Sequence, residues 1–294
     1  MMKAITVYTT TYNRAFCLPQ LYQSLVIQTS QNFLWLVVDD GSNDDTGRLI
    51  QSWISENKIT IKYIYQENQG MHSGHNTAYQ NIDTLLNICI DSDDFMPNNA
   101  IELILNKWND LKEDNIAGFI GLDSYKNGEI IGSKFPEYLN RAKLSDIYLK
   151  HKIIGDKKLV IKTSIVKEFP QYPIFKEERL VPLGTLYLMI DQKYDWICTN
   201  DVYCVVEYLE DGSSRNILRQ YKKNPKGFGY SRLIEMQYSK SFVYSFTRAV
   251  HYISSCLFQR KLDFFSKNPK KLITLLAIPF GILFHLFLLF KIRK

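Results

Sequence analysis

The chain has 294 residues, 46% of them hydrophobic and 22% charged, with 14 Gly and 9 Pro. That is enough for one large α/β domain with an appendage, and it excludes a disordered chain, a collagen-like fibre and a small disulfide scaffold. The net charge of +6 conceals an acidic body, with 20 Lys+Arg against 28 Asp+Glu in residues 1–214, and a basic tail, with 16 against 2 in residues 215–294.

Read in chain order, short β-rich runs alternate with helical periods. Strands are expected at Ile5 to Thr9, Phe33 to Asp39, Ile61 to Gln66, Leu86 to Asp91 and Ile116 to Asp123. Between them, helices are expected at Leu18 to Gln28, Asp44 to Trp53, around His75 to Ile82, and after Pro97 as far as about Asp114. Such alternation means βαβ units and a mostly parallel sheet flanked by helices, and the nearly all-apolar strands agree with burial on both faces. Residues 124 to 215, punctuated by Gly128, Gly132, Pro136, Pro170, Pro173 and Pro182, read as the second half of the same domain. From 216 to about 265 the chain is aromatic, basic and helical in pattern.

The last segment, Leu272 to Phe290, runs 19 residues without Asp, Glu, Lys or Arg, between Lys270 and Lys271 on one side and Lys291, Arg293 and Lys294 on the other. Its length just meets the requirement of about 18–20 residues for a membrane span. Cations at both ends give no clean orientation for a span and fit an interfacial or re-entrant helix better; a buried core helix is the alternative. The five scattered cysteines include no Cys-x-x-Cys pair and no signal-peptide pattern opens the chain, so a reducing, cytoplasmic setting is expected for the body.

The chemistry-bearing residues cluster at expected strand ends, where open parallel sheets bind ligands. Asp39-Asp40-Gly41-Ser42 follows the second strand; Asp44 or Asp45 serves a helix start, but the preceding acid pair does not need to. Asp91-Ser92-Asp93-Asp94 follows the fourth strand. Three carboxylates in four positions repel one another unless a cation or donor-rich ligand sits among them, and hard divalent ions bridge such acids to substrate phosphates. Gln69-Gly70-Met71-His72-Ser73-Gly74-His75-Asn76 offers glycines for close approach to an anion near a helix start, without the Walker pattern. His72 and His75 lack a nearby third zinc ligand, so a structural or substrate-binding role is expected of them.

Taken in order, Thr10-Thr11-Tyr12-Asn13-Arg14, Asp39-Asp40-Gly41-Ser42, Asn68 to Asn76 and Asp91-Ser92-Asp93-Asp94 resemble the nucleotide-sugar half of family 2 glycosyltransferases with the GT-A fold. The likeness is specific over residues 3 to 105. It continues more weakly through Gly155-Asp156-Lys157, residues 170–182, Tyr208 to Gly212 and Asn224 to Gly227, in the manner of a bacterial branch that builds surface polysaccharides. It implies a glycosyltransferase domain over 1–215, with a nucleotide-sugar half (1–123) and an acceptor half (124–215), and a membrane-associating region over 216–294.

The resemblance also implies roles. Thr10, Tyr12 and Arg14 would line the nucleoside pocket, with Asp40 facing the base and Asp39 beside it. Gly70 and Asn76 would border the diphosphate and donor sugar. Asp91 and Asp93 match the family's Asp-x-Asp, which holds Mn²⁺ or Mg²⁺ against the diphosphate of a nucleotide-sugar donor, mostly a UDP-sugar in this family; the acceptor would be a saccharide or lipid-linked saccharide, and transfer would be inverting. Asp94, Glu178 and Glu177 stand as candidates for acid–base work, because the acid that this branch often places after a Pro is Leu183 here. That departure keeps open a catalytically degenerate, nucleotide-sugar-binding partner in an assembly complex. An anionic membrane surface at the cytoplasmic face of a bacterial inner membrane is the expected partner of the tail. Nucleic acid is not, since the uncharged segment suits lipid and no nucleic-acid motif is present.

Overall fold

The computed structural model describes residues 3–111, 115–207 and 217–293. The expected helix end at Asp114, the Tyr208 to Gly212 motif and the proposed boundary at 215/216 fall outside these residues. The chain divides into two units, Met1–Pro170 with Lys193–Leu209, and Gln171–Gln192 with Glu210–Lys294.

The first unit is built on β1 (Ile5–Thr11), α1 (Leu18–Val26), β2 (Phe33–Asp39), α2 (Thr46–Glu56), β3 (Ile61–Tyr65), α3 (Met71–Asn81), β4 (Leu86–Cys89), α4 (Ala100–Asp110) and β5 (Ile116–Ser124). All nine elements expected from the sequence are present. It continues with β6 (Arg141–Ala142), α5 (Leu144–Leu149), β7 (Lys157–Lys162), α6 (Thr163–Lys167) and, after the excursion into the other unit, β8 (Asp195–Val205). The strands form one sheet in the order β3-β2-β1-β4-β7-β5-β8-β6. β1 pairs parallel with β2 and β4, β2 with β3, and β5 with β8; β7 runs antiparallel between β4 and β5, and β6 antiparallel to β8. The carboxyl ends of β1, β2, β4 and β5 therefore share one edge, and β7 brings its amino end to that same edge.

One face of the sheet is sealed by aromatic packing. Tyr22 of α1 stacks on Trp53 of α2 with centroids 4.2 Å apart, and Trp53 lies 5.9 Å from Trp35 of β2. Leu18, Leu21 and Leu25 of α1 and Ile101 and Ile104 of α4 are wholly buried in the same core. Each such side chain contributes roughly 1.5–3 kcal/mol. Trp35 also donates its indole N–H to Thr9 Oγ1 at 3.1 Å, so its one polar atom is paired.

Two local readings change. The Gly-rich stretch after β3 is helical from Met71, not from His75, with Gly70 as the residue before the helix. Gly74 is thereby a packing residue: a Cβ there would stand 2.8 Å from Thr10 Cγ2, so it sets how closely α3 approaches β1. His75, of which a structural or substrate-binding role is expected, is buried, with Nδ1 3.0 Å from the Tyr8 hydroxyl, which in turn donates to Tyr79 at 2.9 Å.

Burial pushes the His75 imidazole down to about 4, against the pull of Asp91 and with a small push from His72. The unfolded chain binds this proton near the ordinary value of about 6.5, so the unfolded state gains it where the folded state refuses it. Stability is thus whole above about pH 6.5 and falls as pH drops toward 4. Between pH 7 and pH 5 denaturant titration is expected to show a loss of about 2 kcal/mol from this group, and a flatter profile in His75→Asn.

The second unit holds α7 (Gly184–Ile190), α8 (Ile217–Lys223), α9 (Pro225–Tyr238), α10 (Phe242–Phe258) and α11 (Lys271–Arg293). Met236 of α9, Ala249 and Ile253 of α10 and Ala277 of α11 are fully buried at its centre.

Candidate active site

Four loops at the shared sheet edge carry most of the candidate residues, and the first three are laced together. The loops after β1 and β2 exchange bonds: Asn13 N donates to Ser42 Oγ and Asn43 N to Asn13 Oδ1, each at 2.8 Å, while Ala15 N reaches Asp44 Oδ2 at 3.1 Å. Asn13 takes a left-handed backbone (φ 53°) to do so. Asp44 also accepts from Thr46 N at 3.0 Å, giving α2 its start. Gly41 (φ 86°) allows the second loop to lie against the third, since a Cβ would fall 2.8 Å from Asn68 N.

Thr10 and Arg14 are half-buried and Tyr12 is exposed on the first loop. Arg14 lies over the Phe16 ring at 5.6 Å. Asp39 and Asp40 are both buried, and their carboxylates are used by the chain itself. Asp39 accepts from Ser42 N at 2.8 Å and from the Tyr63 hydroxyl at 2.7 Å. Asp40 accepts from Gln66 Nε2 at 2.7 Å, Gln69 N at 3.0 Å and Gly70 N at 2.7 Å, so it moulds the third loop directly before α3. Asn76 is buried in α3, beyond that loop. Asp40→Ala is expected to lower unfolding free energy by about 2–3 kcal/mol, because three donors lose one acceptor. Asp40→Asn is expected to keep part of that, a difference that paired thermal melts resolve.

After β4 the chain turns through Asp94 N to Asp91 O (3.1 Å), and Phe95 then pairs with Val205 of β8 through bonds of 3.0 and 2.7 Å. This presents the three acids differently: Asp91 is exposed, Asp93 half-buried and Asp94 buried. Asp94 accepts from Glu207 N at 3.3 Å and lies 3.6 Å from Cys204 Sγ and 3.8 Å from Lys158 Nζ. Burial, with Asp91 and Asp93 as like charges, pushes its carboxyl up to about 7 despite Lys158.

Lys158 and Asp123 are additions that sequence reading did not single out. Lys158 sits opposite Gly121 in the β5–β7 register, at the amino end of β7. Burial alone would strip its ammonium of a proton, yet Cys204, Asp123, Asp91 and Asp94 hold it well above the ordinary lysine value. Asp123, at the end of β5, is 2% exposed with Oδ1 lacking a hydrogen-bond partner, and burial raises its carboxyl. An acid at the end of an expected strand was the available signal for Asp123; for Lys158 there was none.

Glu177 and Glu178 belong to the other unit. Glu178 is buried and accepts from Lys226 N at 3.0 Å and Gly227 N at 2.9 Å, capping the first turn of α9. Glu177 is exposed, in a left-handed backbone (φ 69°). Leu183 stands immediately before α7, with its carbonyl taken by the Tyr172 hydroxyl at 2.8 Å.

Among the described residues no group of three or more His, Cys, Asp or Glu is placed to hold a metal ion. The donor set nonetheless fits one kind of ion. Asp91 and Asp93 would offer two hard carboxylate oxygens at the sheet edge, which suits a divalent cation that takes one or two carboxylates and completes its shell from water and a phosphate-bearing ligand.

Residues 6–168, more than half of the chain, match the family model described as Glycosyl transferase family 2. A chondroitin synthase of Escherichia coli is 32% identical over 104 residues, 35% of this chain and 15% of that protein. The chain spans about a sixth of the length of the first curated relatives it matches. Among solved structures, S. aureus TarS 1-349 in complex with UDP-GlcNAc superposes with a TM-score of 0.59 at 16% identity, over 95% of this chain and 80% of that one. The mannosyltransferase PcManGT from Pyrobaculum calidifontis, in complex with GDP-Man and Mn²⁺, gives 0.56 at 14% identity, over 97% and 88%. At such identities the likeness is one of fold, and the fold is GT-A-like. Motif order, sheet topology and family match agree, and the chain belongs to glycosyl transferase family 2.

Proposed function

We propose that this chain is a metal-dependent, inverting glycosyltransferase. It takes a nucleoside diphosphate sugar, a UDP-sugar before others, and passes the sugar to a saccharide or lipid-linked saccharide during bacterial surface-polysaccharide synthesis. The observation that carries the reading is the turn after β4, which offers Asp91 and Asp93 at the open sheet edge while Asp94 is drawn inward onto Lys158. The sugar nucleotides held by TarS and by the mannosyltransferase support the donor class, and the chondroitin synthase supports a polysaccharide product.

Asp91 and Asp93 would hold Mn²⁺ or Mg²⁺, which when bound offsets the charge on the departing nucleoside diphosphate. Thr10, Tyr12 and Arg14 line the nucleoside side of the edge, with Asp39 and Asp40 shaping the loops around it. Gly70 and Asn76 border the diphosphate and sugar. Of the three candidate acids for proton transfer, Asp94 and Glu178 are engaged within the protein and Glu177 is exposed. The acceptor half is taken as 124–215. Residues 216–294 serve to associate the enzyme with an anionic membrane at the cytoplasmic face.

The test is calorimetric titration with UDP, with and without Mn²⁺, beside Asp93→Ala. Binding that requires both the metal and Asp93 supports the reading; silence toward UDP and other nucleoside diphosphates overturns it. A second reading, a nucleotide-sugar-binding partner without turnover, is favoured by Leu183 and by the capping use of Glu178. Sugar transfer by the purified single chain eliminates it.

A further inference from the structure

The two sides of α11 have opposite fates. One stripe is buried along the length of the helix at Thr274, Ala277, Gly281 and Leu288, a spacing of three, four and seven residues that defines one helical face. It lies on α10. A Cβ at Gly281 would meet Ile253 Cβ and Cγ2 at 2.6 Å, so the two backbones approach as closely as glycine permits. The seam is extended by Ser254 Oγ with His285 Nδ1 at 3.3 Å and by the Phe258 ring against His285 at 4.4 Å.

The other side is uniformly apolar and open. Leu272, Leu276, Phe280, Leu283, Phe287 and Phe290 are exposed, Leu272 to 79% and Leu283 to 64%. At 1.5 Å per residue this face is about 28 Å long. An apolar face of that size is not left in water. Length and composition also qualify α11 as a membrane span, but its packing argues otherwise. α10 packs against both α11 and α9, and directly behind the seam Arg248 pairs with Glu235 at 2.9 Å and Glu235 with Arg232 at 2.7 Å. A spanning α11 would either pull these charges into hydrocarbon or peel away from α10, stranding Ser254 and His285.

The charges around the open face name its occupant. Lys271 and Lys291 stand exposed at the two ends of the apolar run, and Arg260, Lys261 and Lys267 are exposed on the connection from α10, beside Leu262, which is 77% exposed. Cations at both ends of the run and on the connection that leads into it suit a single negatively charged surface met side-on. We propose that α11 is an in-plane anchor: it lies along an anionic bilayer with its Leu272-to-Phe290 face sunk into one leaflet, while its Gly281 stripe stays on α10. This rests on the membrane partner named above and not on sugar transfer.

The test uses the full chain and vesicles, either of phosphatidylcholine alone or with about a third phosphatidylglycerol. Flotation is expected with the anionic vesicles and weak with the neutral ones. Tryptophan introduced singly at Leu276, Leu283 or Phe290 is expected to be quenched to a similar degree at all three sites, best by bromines at shallow acyl positions. Leu283 quenched by deep bromines with Leu276 and Phe290 quenched only by shallow ones would mean a span and overturn the proposal. So would equal binding to neutral vesicles, or no flotation together with a concentration-dependent dimer, which would give the face to a second copy. Leu283→Glu with Phe287→Glu is expected to weaken flotation roughly tenfold or more while leaving UDP binding unchanged. Loss of UDP binding in the parent chain with flotation intact would instead count against the donor reading alone.

Discussion

Asp93→Asn is expected to lower sugar transfer at saturating donor by about 10²–10³-fold, the range found when a group that stabilises developing charge is removed. The fold is expected to survive. The turn that presents Asp93 is held by main-chain bonds, Asp94 N to Asp91 O and the Phe95–Val205 pair, and these do not depend on the side chain at 93. Circular dichroism and the melting temperature should stay close to those of the parent, with the deficit in kcat and in metal-dependent UDP affinity. Asp91→Asn is expected to act in the same direction. Transfer at the parental rate by Asp93→Asn would remove the metal–diphosphate role from this turn.

The second large effect is on stability. Lys158→Met is expected to lower unfolding free energy by about 3–5 kcal/mol near pH 8, the usual result of removing one partner from a buried ion pair. Lys158 is 13% exposed and lies 3.8 Å from Asp94, whose side chain is 8% exposed, with Asp91 and Asp123 also in its field. Without the ammonium the buried Asp94 and Asp123 keep the like charge of Asp91 near them and have little water to screen it. The deficit should be repaired in part by Asp94→Asn on the Lys158→Met background, so that the double variant is less destabilised than the two single changes added together. Denaturant titration of the four proteins measures this coupling. A Lys158→Met protein within about 1 kcal/mol of the parent would show that the acids are relieved in another way.

Much of the donor half was readable because its signals are local. Alternating apolar runs and helical periods located every element from β1 to β5, and the acids at 39–40 and 91–94 stood where open sheets bind ligands. What each acid does was not readable. Asp40 reads in the sequence as an acid facing the base; the structure adds that its oxygens accept from Gln66, Gln69 and Gly70, about thirty residues further on. Glu178 reads as a candidate base; the structure adds that its oxygens meet the first amides of α9. β7 and β8 were hidden as well: β7 opens with two lysines and β8 carries Asp195, Asn200 and Asp201, so neither shows the apolar run of a buried strand.

From composition and periodicity alone this protein was an α/β chain with acidic strand ends, a basic tail and one long uncharged segment, because those properties are written in neighbouring residues. Tertiary structure decided which charges meet. The antiparallel insertion of β7 carries Lys158 to the carboxyl edge of β4 and β5, and only that reversal sets a cation beside Asp94 and Asp123. It also decided the character of the tail. The same uncharged run would serve a core helix, a span or a surface anchor, and the close approach of Gly281 to Ile253 selects which face is hidden and which remains open.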